Sequence, residues 1–224
     1  MGVRRLGPAL LLVVLAALSS CRERQGDIIV FCAGDSITEQ GYPRFLEESL
    51  RDEGVKARVL NHGRSGNTSA EYLRFLKGNF DTLRDERPDI VLIELGTNDV
   101  RVDGDRVSKE EFNRNIREIV GLFRDFKTRS GKRPAILLAS IPPVPDGMAF
   151  PFGPESGPRV IAEINPTIQA VCTETHAVFV DNYSLFAGSP SLLPSVHPSR
   201  EGYRAMARNW HAAIKPLIAR LVRR

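Results

Sequence analysis

Five short apolar runs recur along this chain, each giving way at its carboxyl end to turn-forming residues and each separated from the next by a stretch of helical periodicity. The runs are residues 28–33 (IIVFCA), 57–60 (ARVL), 90–94 (IVLIE), 135–139 (AILLA) and 177–180 (AVFV). The first is rich in β-branched and aromatic residues and free of charge, the pattern of a strand covered on both faces. Between them, helices are expected near 42–53, 69–77, 108–128, 160–175 and 200–219, with Ser108 and Glu111 spaced as a capping box ahead of the third. Pro166 requires a kink or a restart in the fourth. Strands alternating with helices specify an open parallel sheet. Residues 141–158 hold six prolines and read as a loop after the fourth strand, with Met148, Phe150 and Phe152 giving it an apolar face. These aromatics either shape a substrate pocket or pin the loop to the domain.

In a parallel sheet the carboxyl ends of the strands share one edge, so residues distant in sequence converge there. Four polar segments fall on that edge. Gly34 to Thr38 (GDSIT) follows the first strand, Asn61 to Thr68 (NHGRSGNT) the second and Gly96 to Asp99 (GTND) the third, while His197 precedes the last helix. Taken singly, Ser36 would be a turn residue, Gly66 a turn glycine, Asn98 a cap and His197 a surface imidazole. In this combination and order the chain resembles the SGNH hydrolases, the GDSL esterase and lipase family, over roughly residues 28–217. The resemblance implies a three-layer α/β/α fold with a flavodoxin-like open parallel sheet of about five strands.

It also implies roles. Ser36 would be the nucleophile and His197 its general base, because a serine hydroxyl attacks a carbonyl at neutral pH only when an imidazole takes its proton. The amides of Ser36 and Gly66 and the side chain of Asn98 would form the oxyanion hole, one such donor being worth on the order of 10²- to 10³-fold in rate. The activity implied is hydrolysis of a carboxylic ester, a short-chain acyl or O-acetyl group, on a small molecule or a glycan. Lysophospholipids or acyl thioesters are the alternative substrates. No cofactor is implied. His62 follows a strand and could line the cleft, whereas His176 and His211 fall on helical stretches.

One position departs from the family pattern. The aspartate usual three residues before the histidine is replaced by Pro194, in the run Leu193 to Pro198 (LPSVHP). Losing such an aspartate costs about 10⁴ in rate where a triad depends on it, so another group must orient His197 or turnover must be slow. Asp181, at the end of the fifth strand, is one candidate partner, though an aspartate there equally serves as a turn cap. Ser195 or a backbone carbonyl of residues 190–195 would instead leave a serine-histidine dyad, the reading favoured here. The same gap recommends a rival of another class, a glycan-binding protein of low activity that keeps the fold. A flavodoxin-like nucleotide binder is disfavoured, since no glycine-rich phosphate cradle follows the first strand.

The amino terminus is a separate unit. Arg4 and Arg5 precede an apolar run, residues 6–18, too short to span a bilayer comfortably and closed by Ser19, Ser20 and Cys21. Residues 1–20 therefore read as an export signal. LSSC at 18–21 resembles a lipobox, making Cys21 the lipid-modified first residue, 21–27 a short tether and 28–224 one catalytic domain. The implied location is the bacterial envelope, anchored by acyl chains, with plain secretion as the alternative. Cys32 and Cys172 fall in apolar stretches, where free buried thiols are usual, and a disulfide between them is left open. The histidines are scattered, with no metal-ligand spacing. A net charge of +4 is spread among acids along the helices, which argues against a nucleic-acid partner. The sequence leaves the oligomeric state open.

Overall fold

The computed structural model describes residues 27–104 and 106–222. The expected export signal and the lipidation site Cys21 lie outside the described residues. Five parallel strands run β1 (Ile28–Gly34), β2 (Ala57–Gly63), β3 (Ile90–Glu94), β4 (Ala135–Ala139) and β5 (Val178–Val180), in the order β2-β1-β3-β4-β5. That order reverses between β1 and β3, opening a crevice at their carboxyl ends. Gly34 pairs with Gly63 on one side and Glu94 on the other, so the three loops carrying Ser36, Gly66 and Asn98 leave the sheet side by side.

Strict alternation along β1 builds both cores. Phe31 and Ala33 face a cluster with Tyr72, Phe112, Phe123 and Phe126, beneath helices α3 (Ser69–Gly78), α4 (Phe80–Arg84), α5 (Lys109–Asp125) and α7 (Asn165–Thr175). Val30 and Cys32 face the other cluster, where α2 (Tyr42–Asp52), α8 (Asn182–Ala187) and α9 (Arg200–Val222) supply Tyr42, Phe186 and Trp210. Tyr42 and Trp210 stack with ring centroids 5.8 Å apart, and truncating such a buried indole costs about 3–5 kcal/mol. Cys32 and Cys172 are both free, and they belong to the clusters on opposite faces of the sheet, which rules out a pairing.

The expected strands and long helices are present, with informative differences. α5 stops at Asp125, with Phe126 already extended, and Thr128 instead closes a turn through Lys132 and Gly131. Ser108 Oγ accepts from the amide of Glu111, while the reciprocal capping box is found at Thr68 and Glu71 at the start of α3. Pro166 causes no break. The short helix α6 (Ser156–Arg159), a π-helical turn (Val160–Ile164) and α7 run on continuously, and Pro166 falls in the first turn of α7, where a missing N–H costs least. A further short helix, α1 (Ser36–Gln40), begins at the expected nucleophile itself.

Candidate active site

Ser36 is the first residue of α1, and the turn that presents it is fixed by its neighbours. Asp35 Oδ1 accepts the Ile37 amide at 2.9 Å, capping a helix too short to hold itself. A side chain on Gly34 would overlap Thr38 and the carbonyl of Glu94, so only glycine lets β1 pass this close. The structure then brings together Ser36 and His197, two of the residues expected from sequence. Ser36 Oγ lies 2.8 Å from His197 Nε2, within hydrogen-bonding range. With the hydroxyl as donor, the ring proton sits on Nδ1. Burial depresses the His197 pKa below the usual imidazole value, which favours the neutral, proton-accepting form.

Gly66 has φ +79 in a turn following β2, a conformation open to glycine and strained for other residues. Asn98 is nearly buried at the start of a 3₁₀ turn, and its Nδ2 donates to the carbonyl of Asn67 at 3.0 Å. That bond uses one amide proton and aims the group, leaving the second for a ligand. Both segments are tied by Asp99, whose carboxylate accepts from the amide and hydroxyl of Ser69, with Asn115 donating to the same hydroxyl. Arg159, also buried, donates to the carbonyls of Asp99 and Val107. Burial raises Asp99 to about 6, although the Ser69 bonds oppose the shift. Asp99 thus ties the Asn98 turn to the start of α3, and Arg159 ties it to Val107, roles their sequence positions did not reveal.

The acid question receives a geometric answer. Asp181 Oδ1 accepts from the Ser184 amide at 2.9 Å and from Ser140 Oγ at 3.1 Å, capping α8. Its partial burial would raise the pKa, but these bonds outweigh it and the group sits below the usual carboxylate value. Ser195 Oγ accepts from the His197 amide and donates to the His197 carbonyl, so it shapes the loop and not the ring. Among the described residues no side chain or carbonyl hydrogen-bonds His197 Nδ1. The remaining histidines are structural. His62 stacks on Phe31 at 4.1 Å and pairs with Glu86, not the cleft; His211 bonds Ser49; His176 ends α7 in the left-handed region.

The proline-rich loop is pinned to the domain. Met148 and Phe152 pack on the core, the Val102 amide donates to the carbonyl of Pro151, and Ser156 Oγ donates to that of Val100. Only Phe150 of the three apolar residues is well exposed. The loop consequently stands beside the Asn98 turn as a fixed wall.

A fold of this topology with a serine, histidine and asparagine gathered at its strand ends defines the class of SGNH ester hydrolases. The chain belongs to the GDSL-like lipase/acylhydrolase family, whose model matches residues 32–205. It is 28% identical over 221 residues to esterase TesA of Pseudomonas aeruginosa, covering 94% of this chain and 99% of that protein. It is 27% identical to an acetylxylan esterase of Xylanibacter ruminicola, over 86% of this chain and 44% of that longer protein. Among solved structures, the acetylxylan esterase Axe2 of Geobacillus stearothermophilus shares the fold at a TM-score of 0.67 and 23% identity, with 84% and 94% of the two chains covered. The protein is an ester-bond hydrolase.

Proposed function

We propose that this protein removes a short acyl or O-acetyl group from a carboxylic ester, through an acyl-enzyme on Ser36. The observation that carries the reading is the 2.8 Å approach of Ser36 Oγ to His197 Nε2 at the edge where the donor loops meet. His197 takes the hydroxyl proton as Oγ bonds to the carbonyl carbon, and returns it to the alcohol oxygen as the ester C–O bond breaks. Water, deprotonated by the same imidazole, then releases the acid and restores Ser36. The Ser36 and Gly66 amides and Asn98 Nδ2 meet the charge that develops on the carbonyl oxygen. Two of the relatives are named as acetylxylan esterases, which supports an acetylated glycan as the substrate class over lysophospholipids or thioesters.

That His197 Nδ1 has no hydrogen-bond partner among the described residues supports a dyad and favours modest turnover; it is also what a glycan-binding protein of low activity would show. A fluorophosphonate probe separates the two, with labelling expected of the wild-type protein and none of Ser36→Ala. An unlabelled wild type at high probe concentration would favour the binding protein. Export with a lipid on Cys21 belongs to the same reading, and incorporation of a tagged fatty acid that Cys21→Ala abolishes would test it.

A further inference from the structure

Ester hydrolysis by a serine–histidine pair has two sides. The carbonyl oxygen must face the Gly66 and Asn98 donors, which stand over the α3 and α5 face of the sheet. The leaving alcohol must lie by His197 Nε2, which returns its proton. On that second side, over the α2 and α9 face, the surface forms a concavity of about 420 Å³ lined by Gln40, Gly41, Arg44, Phe45, Arg200 and Tyr203. Gln40 ends the helix that Ser36 begins, and Arg200 opens the helix that follows His197. Both catalytic segments therefore lead directly into it.

Its uncompensated positive charge comes from Arg200. The Arg200 guanidinium makes no ion pair or hydrogen bond among the described residues. Arg44 and Arg204 flank Phe45, their guanidinium carbons 5.9 and 5.1 Å from its ring centroid. Glu48 and Glu201 offset Arg44 and Arg204 at exposed positions, while Glu39 accepts from the Ser65 amide and Glu47 from the Val59 amide. Helices α2 and α9 both begin at the concavity; α9 is capped by Ser199 and carries Glu201 in its first turn, whereas α2 has no side-chain cap, so one partially positive helix end adds to Arg200. A neutral sugar needs none of this, whereas a planar carboxylate or a phosphate matches guanidinium donors.

We propose that this concavity is a subsite for an anionic group, a carboxylate or a phosphate, carried on the alcohol half of the ester, so that the substrate is an acylated anionic glycan unit. The proposal rests on the esterase reading for its place in the reaction, and its binding arm is independent of turnover. Full-length Ser36→Ala protein, titrated with sodium glucuronate and separately with inorganic phosphate, should bind saturably and in a salt-sensitive manner. The tighter of the two identifies the source of the anion. Replacing Arg200 and Arg44 together by glutamine should weaken that binding about fivefold or more. In the active protein the same pair of changes should lower the ratio of kcat/KM for an O-acetylated glucuronate over that for 4-nitrophenyl acetate by a similar factor, chiefly through KM. Failure of both probes to bind Ser36→Ala saturably, or equal binding by the arginine variant, would overturn the subsite. Anion binding without hydrolysis of any ester would sink the esterase reading and leave the subsite standing.

Discussion

His197 reaches Ser36 from a partly buried position, and among the described residues no carboxylate hydrogen-bonds its ring; both facts bear on its proton affinity. Burial lowers the pKa, and among the described residues no carboxylate bonds the ring to raise it. The acid limb of kcat/KM should therefore fall below about 6.5, the ordinary imidazole value, as a pH–rate profile on a short-chain ester will show; a limb above that value would reveal a hidden acidic partner. Replacing His197 by alanine should cost at least about 10⁴-fold in kcat, since attack then lacks a base. Asn98→Ala should cost about 10²- to 10³-fold in kcat with little change in KM, because its donor acts on charge formed in the transition state. Ser36, Gly66, Asn98 and His197 were all legible as candidates in the sequence, as each sits in a recognisable motif, and Ser36 and His197 meet in the fold. Asp99 and Arg159 were not, because their task is to join loops that only the fold brings together.

Among the elements, the shortest ones were the hardest to foresee. α1 and α8 have no room for an amphipathic period, and each is defined by an aspartate cap, Asp35 for α1 and Asp181 for α8. An aspartate at the end of β5 suits a cap and a histidine partner equally well by sequence, and the direction of its oxygens decides for the cap. Asp181→Ala should accordingly destabilise the protein by about 1 kcal/mol, measured by denaturant unfolding. Its kcat should stay within a few-fold of wild type; a collapse of turnover in a folded variant would return Asp181 to the catalytic machinery. The π-helical turn ahead of α7 was equally hidden, because proline patterning predicts a kink and cannot say that one extra residue in the preceding turn absorbs it.

At the scale of the whole molecule, the sheet buries acids directly behind the nucleophile. Glu94 is fully buried at the end of β3, with neither carboxyl oxygen bonded among the described residues. Burial, reinforced by the nearby Asp35, raises its pKa well above the ordinary value. Asp35 is itself pushed up to about 7, by burial first and by the charge of Asp99 further, against the bond from Ile37. A carboxyl with a raised folded-state pKa binds more protons folded than unfolded, so its contribution favours folding at low pH and declines as pH rises from its unfolded value toward its folded one. Stability should thus decline as pH rises above about 4, through about 7 on account of Asp35, with the raised pKa of Glu94 adding to the loss. Glu94→Gln, which removes the charge and keeps the shape, should flatten the decline in thermal unfolding measured across that range. An unchanged slope would show that the pair does not govern it. A charged residue closing an otherwise apolar, doubly covered strand was the one sequence signal that marked Glu94.

The sequence by itself determined the class of fold and the candidate reacting groups, since strand and helix periods are local properties and the motifs lie at strand ends that a parallel sheet must align. Tertiary structure alone decided that Asp181 caps α8, how Asp99 and Arg159 lock the Asn98 turn, and that arginines from two helices share one concavity. Those outcomes depend on side-chain direction and on contacts between residues far apart in the chain, quantities that no local pattern encodes.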